Sequence, residues 1–137
     1  MNKTFGMIKP DAVASKHTGL ILDLIERNKI AINKMKKIHL KDAQARAFYA
    51  IHNQRPWFNE LIEFITSGPV IVMELECNDA VATWRNLMGA TNPDQATVGT
   101  VRKMFAQDIG KNAVHGSDSE ENAKIELDFF FADKCCK

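Results

Sequence analysis

Pro69-Val70-Ile71-Val72-Met73-Glu74-Leu75-Glu76 is rich in β-branched residues and fenced on its N-terminal side by Ser67-Gly68-Pro69, so it predicts a central strand. Upstream, Phe58 to Thr66 predicts a short helix that this punctuation stops, and Arg55-Pro56 separates it from another, about Ala43 to His52, opened by Lys41-Asp42. Ile30 to Leu40 carries Ile30, Ile32 and Ile38 among lysines, a strand with one wet face. Leu20, Ile21, Leu24 and Ile25 mark an amphipathic helix over Thr18 to Asn28, and Thr4 to Lys9 alternates as a first strand that ends at Pro10-Asp11 and presents Lys9 at a turn. Downstream, Asp79 to Met88 is helical in pattern and stops at Gly89. From Ala90 to Asp118 few apolar residues recur, apart from a helical turn or two near Thr100 to Gln107, and so long a loop tends to be functional. Ser117-x-x-Glu120 reads as a capping box for a short helix over Ser119 to Lys124, and Ile125 to Phe131 as a last strand. In order these elements fit a ferredoxin-like α+β fold: a four-stranded antiparallel sheet, helices covering one face, and a long active-site loop.

At 137 residues the chain predicts one domain over 1–137 with a flexible tail from about 132. Lysine and arginine number 18 against 17 acidic residues, so no net field draws the molecule to nucleic acid or an acidic membrane, and an anion must be held by a local cluster. No apolar run approaches the roughly 20 residues of a membrane span, and Met1 to Phe5 leads directly into a strand, which points to the cytoplasm. Cys77 ends an apolar run as a small buried hydrophobe, while Cys135 and Cys136 sit side by side on the tail, so no disulfide framework is expected. Nor does any Cys-x-x-Cys or His-x-x-x-His spacing suggest a metal site.

Neither of the common glycine-rich phosphate loops occurs. Cations and small donors are instead scattered over distant segments: Lys9, His52, Arg85, Thr91, Arg102 and Asn112. Converging on one cleft, they would hold a chain of phosphates. Asn112-Ala113-Val114-His115-Gly116-Ser117-Asp118-Ser119 is the most informative segment, because an imidazole titrates near neutrality and, when neutral, is a good nitrogen nucleophile. Gly116 would let backbone and ligand approach closely, and Glu126 could fix the ring's tautomer. An ordinary loop histidine beside a plain helix cap satisfies the same residues. Trp57 and Phe58 can equally be packing aromatics, and Tyr49 a packed ring with a wet hydroxyl.

Met7-Ile8-Lys9-Pro10-Asp11-Ala12-Val13, Ser67-Gly68-Pro69-Val70, Gly89-Ala90-Thr91-Asn92-Pro93 and the Asn112 to Ser119 segment together resemble the nucleoside diphosphate kinases. The resemblance runs in register from Lys3 to about Phe131. It implies that His115 is a phosphorylated nucleophile oriented by Glu126 and Ser117. Lys9, Tyr49, His52, Arg85, Thr91 and Arg102 would hold phosphates, with Lys9 and Asn112 at the ribose. Trp57 would stack the base where the family usually has phenylalanine, with Leu61 and Ile109 lining the slot, and an apolar clamp of that kind accepts many bases. The implied reaction is ping-pong: a nucleoside triphosphate such as ATP gives its γ-phosphate to the histidine, and a nucleoside diphosphate retrieves it. Mg²⁺ would ride on the nucleotide phosphates without direct protein ligands, Asp118 at most reaching it through water. The family assembles as homo-oligomers, tetramers or hexamers built from dimers.

Some positions depart from the family pattern. Arg102-Lys103-Met104-Phe105 stands where Arg-Gly-Asp-Phe is common, Val98 replaces a frequent proline, and Ser15-Lys16-His17-Thr18 differs from the usual Arg-Gly-containing turn. None of these removes an implied catalytic group. Two rival readings share the fold: an RNA-binding module, which here lacks the aromatic strand motif and a basic surface, and a silent relative acting as a scaffold, although no implied site residue is missing.

Overall fold

The computed structural model describes residues 1–132. In chain order it contains β1 (Asn2–Ile8), α1 (Pro10–Ala14), α2 (Thr18–Arg27), β2 (Ala31–Ile38), α3 (Asp42–Phe48), α4 (Phe58–Ile65), β3 (Val70–Cys77), α5 (Ala80–Met88), α6 (Val101–Phe105), β4 (Val114–Gly116) and α7 (Glu120–Phe131). The expected tail, with Cys135 and Cys136, lies outside the described residues beyond Ala132. No helix among the described residues is long and apolar enough to cross a membrane.

The four strands form one antiparallel sheet in the order β2-β3-β1-β4, with Ile8 opposite Ile71 and Met7 opposite both Val72 and His115. β3 is an interior strand, as its composition predicts, and alternate residues feed two cores. Ile71, Met73 and Leu75 face α2 and α5, whose Ile21, Ile25, Ala80, Trp84 and Met88 are buried against them. Val70 and Val72 face the other way with Phe5 and Met7, and there meet Ala45 of α3, Phe58 and Ile62 of α4, and Phe130 of α7. The ferredoxin-like sheet and its helical layer are therefore present, and a second helical layer covers the opposite face. Each fully buried aliphatic side chain of this size contributes about 2 kcal/mol.

The C-terminal segment differs from its expected reading. Ile125 to Phe131 is not a strand but the second half of α7, and the fourth strand is the short Val114–Gly116 run inside the supposed loop. The reason is the spacing of Ala123, Leu127, Phe130 and Phe131, a helical stripe in which Ala123 is buried and the other three join the core of Phe5 and Val72. The cap also shifts: the Ser119 hydroxyl, not Ser117, accepts the Asn122 N–H at 3.1 Å and starts the helix. Ser117 is thereby freed for the site.

Candidate active site

β4 is three residues long, yet its alternation organises the site. Val114 and Gly116 face the core of Trp84 and Met88. His115 points to the other face, where the rings of Phe5, Phe48 and Tyr49 lie 5.8, 5.5 and 5.9 Å from its own, all near edge-on. Gly116 does not open the strand to a ligand as the sequence suggests. A Cβ there would fall 2.6 Å from Met88 Cε and 2.7 Å from the Trp84 indole, so the glycine lets two elements pack. Trp84 Nε1 also donates to the His115 carbonyl at 3.3 Å.

The imidazole is held from one side. Its Nε2 lies 3.1 Å from Glu126 Oε1, the same oxygen that accepts the Ser117 hydroxyl at 2.7 Å. An ionised carboxylate can only accept, so the proton sits on Nε2 and Nδ1 carries the lone pair. Burial lowers the pKa of His115; the Glu126 hydrogen bond and charge oppose this, and Lys9 and Arg102 reinforce it. The ring is therefore neutral near pH 7, and its side chain keeps 20% of its surface open. The Tyr49 hydroxyl nearby is buried without a partner among the described residues. Burial pushes its pKa up, with the Glu126 charge adding to the effect.

A second cluster adjoins the first through the backbone before His115. Ala113 has φ +74, and the Val114 N–H donates to the Asn112 carbonyl at 2.8 Å across it. This is the rare, strained form of γ-turn. Neighbours clamp it: Lys9 N–H to the Ala113 carbonyl at 2.8 Å, and Ala113 N–H to Asp11 Oδ2 at 3.1 Å. Arg102 donates to the carbonyls of Gly89, Asn112 and Val114, at 3.0, 3.4 and 2.8 Å. Two of the guanidinium's five donors remain for a ligand. Lys9 Nζ donates to Asn112 Oδ1 at 2.8 Å, and Asn112 Nδ2 in turn donates to the Thr91 carbonyl at 3.4 Å. Burial, and then the Arg102 charge, brings Lys9 down to about 8; burial, and then Arg85, brings Arg102 down to about 10.

His115, Glu126, Ser117, Tyr49, Lys9, Arg102, Asn112 and the Thr91 backbone thus come together. Arg85 is exposed on α5 and electrostatically felt at both Arg102 and Asp118. Asp118 itself accepts from Asn122 Nδ2 at 2.6 Å, the main cause of its lowered pKa, and lines an open pocket of about 460 Å³ with Arg85. His52 and Trp57 form a separate tilted pair with centroids 5.3 Å apart, Trp57 half-exposed and Leu61 following on α4. Ile109 is exposed; the His52 N–H donates to the Tyr49 carbonyl at 2.9 Å, but among the described residues no side-chain hydrogen bond ties His52, Trp57, Leu61 or Ile109 to the histidine cluster. Trp84 and Asp11 were not singled out by sequence reasoning. Each acts on a backbone atom of a distant segment, and no spacing records that.

A neutral imidazole with a free Nδ1, set among buried cations on an antiparallel sheet, is the equipment of a histidine-dependent phosphotransferase. The model of the family described as nucleoside diphosphate kinase matches residues 2–135. The nucleoside diphosphate kinases of Campylobacter curvus and Helicobacter hepaticus are each 55% identical over 96% of both chains, and that of Chlamydia abortus is 52% identical over 96% of this chain and 94% of its own. Among solved structures, the Aquifex aeolicus nucleoside diphosphate kinase superposes with a TM-score of 0.93 at 38% identity, covering 95% of this chain and 94% of the other. A Halobacterium salinarum nucleoside diphosphate kinase in complex with CDP gives 0.92 at 38%, covering 96% and 88%. The chain belongs to the nucleoside diphosphate kinase family.

Proposed function

We propose that this chain is a single nucleoside diphosphate kinase domain in which His115 Nδ1 carries the phosphoryl group. The lone pair of Nδ1 attacks the γ-phosphorus in line, the bond from that phosphorus to the β,γ-bridging oxygen breaks, and the diphosphate leaves with the electron pair. A β-phosphate oxygen of a second nucleoside diphosphate then attacks the same phosphorus and the P–N bond breaks. The observation that carries this reading is the neutral imidazole held through Nε2 by Glu126, itself fixed by Ser117, with a fifth of its side-chain surface open and the charges of Lys9 and Arg102 acting on it. Glu126 stabilises the positive charge that develops on the ring as the P–N bond forms.

Lys9, Arg102, Arg85, His52 and Thr91 are assigned to the phosphates, along with the unpartnered Tyr49 hydroxyl, which a phosphoryl oxygen would satisfy. Lys9 and Asn112 are assigned to the ribose hydroxyl, and Trp57, Leu61 and Ile109 to the base. A base stacked on an indole face is bound without reading its edges, which suits many nucleotides. The CDP in the Halobacterium relative supports the same kind of ligand here. The donor set fits a nucleotide carrying Mg²⁺ on its phosphates: the cations would answer phosphate oxygens, Glu126 is already engaged by Ser117 and His115, and Asp118, which is exposed, would reach the ion at most through water. When bound, the ion would neutralise charge on the nucleotide phosphates. Assembly as a tetramer or hexamer of dimers, and a cytoplasmic location, belong to the same proposal.

Incubation with γ-labelled ATP leaves an acid-labile phosphate on the unmutated protein and none on His115→Ala. Absence of label on the unmutated protein would sink the reading.

A further inference from the structure

The Lys9-Pro10-Asp11 corner touches the turn before His115 at two points, one through the Lys9 N–H and one through the Asp11 carboxylate. We propose that Asp11 is a positioning residue for phosphoryl transfer: its carboxylate clamps the strained turn that aims His115 and brings a negative charge to the same corner of the fold as the buried Lys9 ammonium. The inference rests on the phosphohistidine reading above.

Two observations carry it. First, Ala113 is a non-glycine residue at φ +74, a conformation that costs about 1–2 kcal/mol and persists only where the surroundings over-determine it. Asp11 holds the N–H of that residue and Lys9 holds its carbonyl, so both backbone polar groups of the strained residue answer to one corner of the fold. The turn directly precedes β4, and Asn112, which opens it, is the partner of Lys9 Nζ.

Second, the residue type exceeds the structural need. A neutral oxygen would suffice to accept one N–H. Asp11 instead brings a second oxygen, Oδ1, that is buried with no partner among the described residues, a costly arrangement for a charge. Burial raises its pKa, while the N–H groups of Ala12 and Ala113 and the Lys9 charge pull it back toward the ionised form. The charge has a recipient. Lys9 is 8% exposed, its Nζ donates to the Asn112 amide, and the charges that act on it are those of Arg102 on α6 and of Asp11, the acidic one of the two. Without it, burial and Arg102 would both act against the ammonium unopposed.

The test uses Asp11→Asn, which keeps an acceptor oxygen for Ala113 but removes the charge, and Asp11→Ala, which removes both. Titration of Lys9 followed by its ¹³Cε shift needs no turnover, and kcat/KM against pH reports the free enzyme. Asp11→Asn should lower the Lys9 midpoint, by about one pH unit on the usual scale for loss of a neighbouring charge. It should carry the alkaline limb of kcat/KM down with it and leave the acid limb and kcat near pH 6 in place. Asp11→Ala should in addition lower kcat by about ten- to a hundredfold through a misaimed ring; should it fail to fold, the Asn variant decides alone. An unmoved Lys9 midpoint in Asp11→Asn overturns the proposal. So does equal loss of kcat in both variants with the alkaline limb unmoved, the mark of a merely structural side chain. Failure of the unmutated protein to take up phosphate refutes the phosphohistidine reading instead, whatever Lys9 does.

Discussion

Gly116→Ala puts a methyl group where the fold has no room. The added Cβ would stand 2.6 Å from Met88 Cε and 2.7 Å from both Cδ1 and Nε1 of Trp84, against the 3.5–4.0 Å or so at which carbon atoms attract. Met88 Cε ends a flexible chain and can retreat. The indole cannot: it is a rigid plane, fully buried, with its N–H on the His115 carbonyl. Either Trp84 or β4 must therefore shift, and overpacking of this kind costs about 1–3 kcal/mol. For a chain of this length that is a fall in melting temperature of roughly 3–15 °C. Because β4 carries His115, a shift approaching 1 Å would slow phosphoenzyme formation by about 10²-fold. Thermal denaturation followed by circular dichroism measures the first effect and rapid-quench labelling with ATP the second. Trp84→Phe in the same chain should recover part of both, giving a coupling in a double-mutant cycle. Gly19→Ala is the control: nothing lies within 4 Å of its Cβ, so it should be neutral or stabilising by up to about 1 kcal/mol. A Gly116→Ala protein that melts and labels like its parent would refute the packing argument.

Glu126→Gln removes the group that raises the His115 pKa against burial, so the acid limb of kcat/KM should move to lower pH while the rate falls; an acid limb that moves up contradicts the assignment. Arg102→Lys replaces a fork that reaches three carbonyls with a point charge that cannot. It should leave buried carbonyls unpaired, costing about 1–3 kcal/mol, read as a lower urea midpoint at unchanged slope. An unchanged midpoint would mean that the three bonds contribute nothing.

The legible parts of the fold were those with a period long enough to see. β3 and the Phe58, Ile62, Ile65 face of α4 declare themselves through composition and spacing, and Ser67-Gly68-Pro69 separates them. β4 could not be seen, since three residues carry no periodicity and its existence depends on β1 being there to pair with it. α7 departs from its sequence pattern for a different reason: Ile125 and Phe129 to Phe131 favour strands by type, and in the fold Leu127, Phe130 and Phe131 outweigh that preference by joining the core of Phe5 and Val72. The side-chain chemistry was more legible than the topology. What an imidazole needs pairs His115 with Glu126, the resemblance adds Ser117, and the structure brings the three within hydrogen-bonding distance although the strand meant to carry Glu126 is a helix. Trp84 and Asp11 escaped because their partners are main-chain atoms 31 and 102 residues away.

Those two residues show why a strand of three residues can hold the His115 ring still. A strand this short has too few ladder bonds to fix its own register, so its position must be imposed at its ends and on its faces. The Trp84 indole takes the carbonyl of His115 from one face, and Gly116 lets that indole come close enough to do so. Upstream, the strained turn at Ala113 admits few alternatives, because its polar groups are committed to Lys9 and Asp11 and the flanking carbonyls to Arg102. Strain of about 1–2 kcal/mol is offset by bonds each contributing about 1 kcal/mol, more where the donor or acceptor is charged. The same groups that would meet phosphate are thus the ones that fix the backbone of the proposed nucleophile, so charge and aim cannot be altered separately at Lys9 or Arg102.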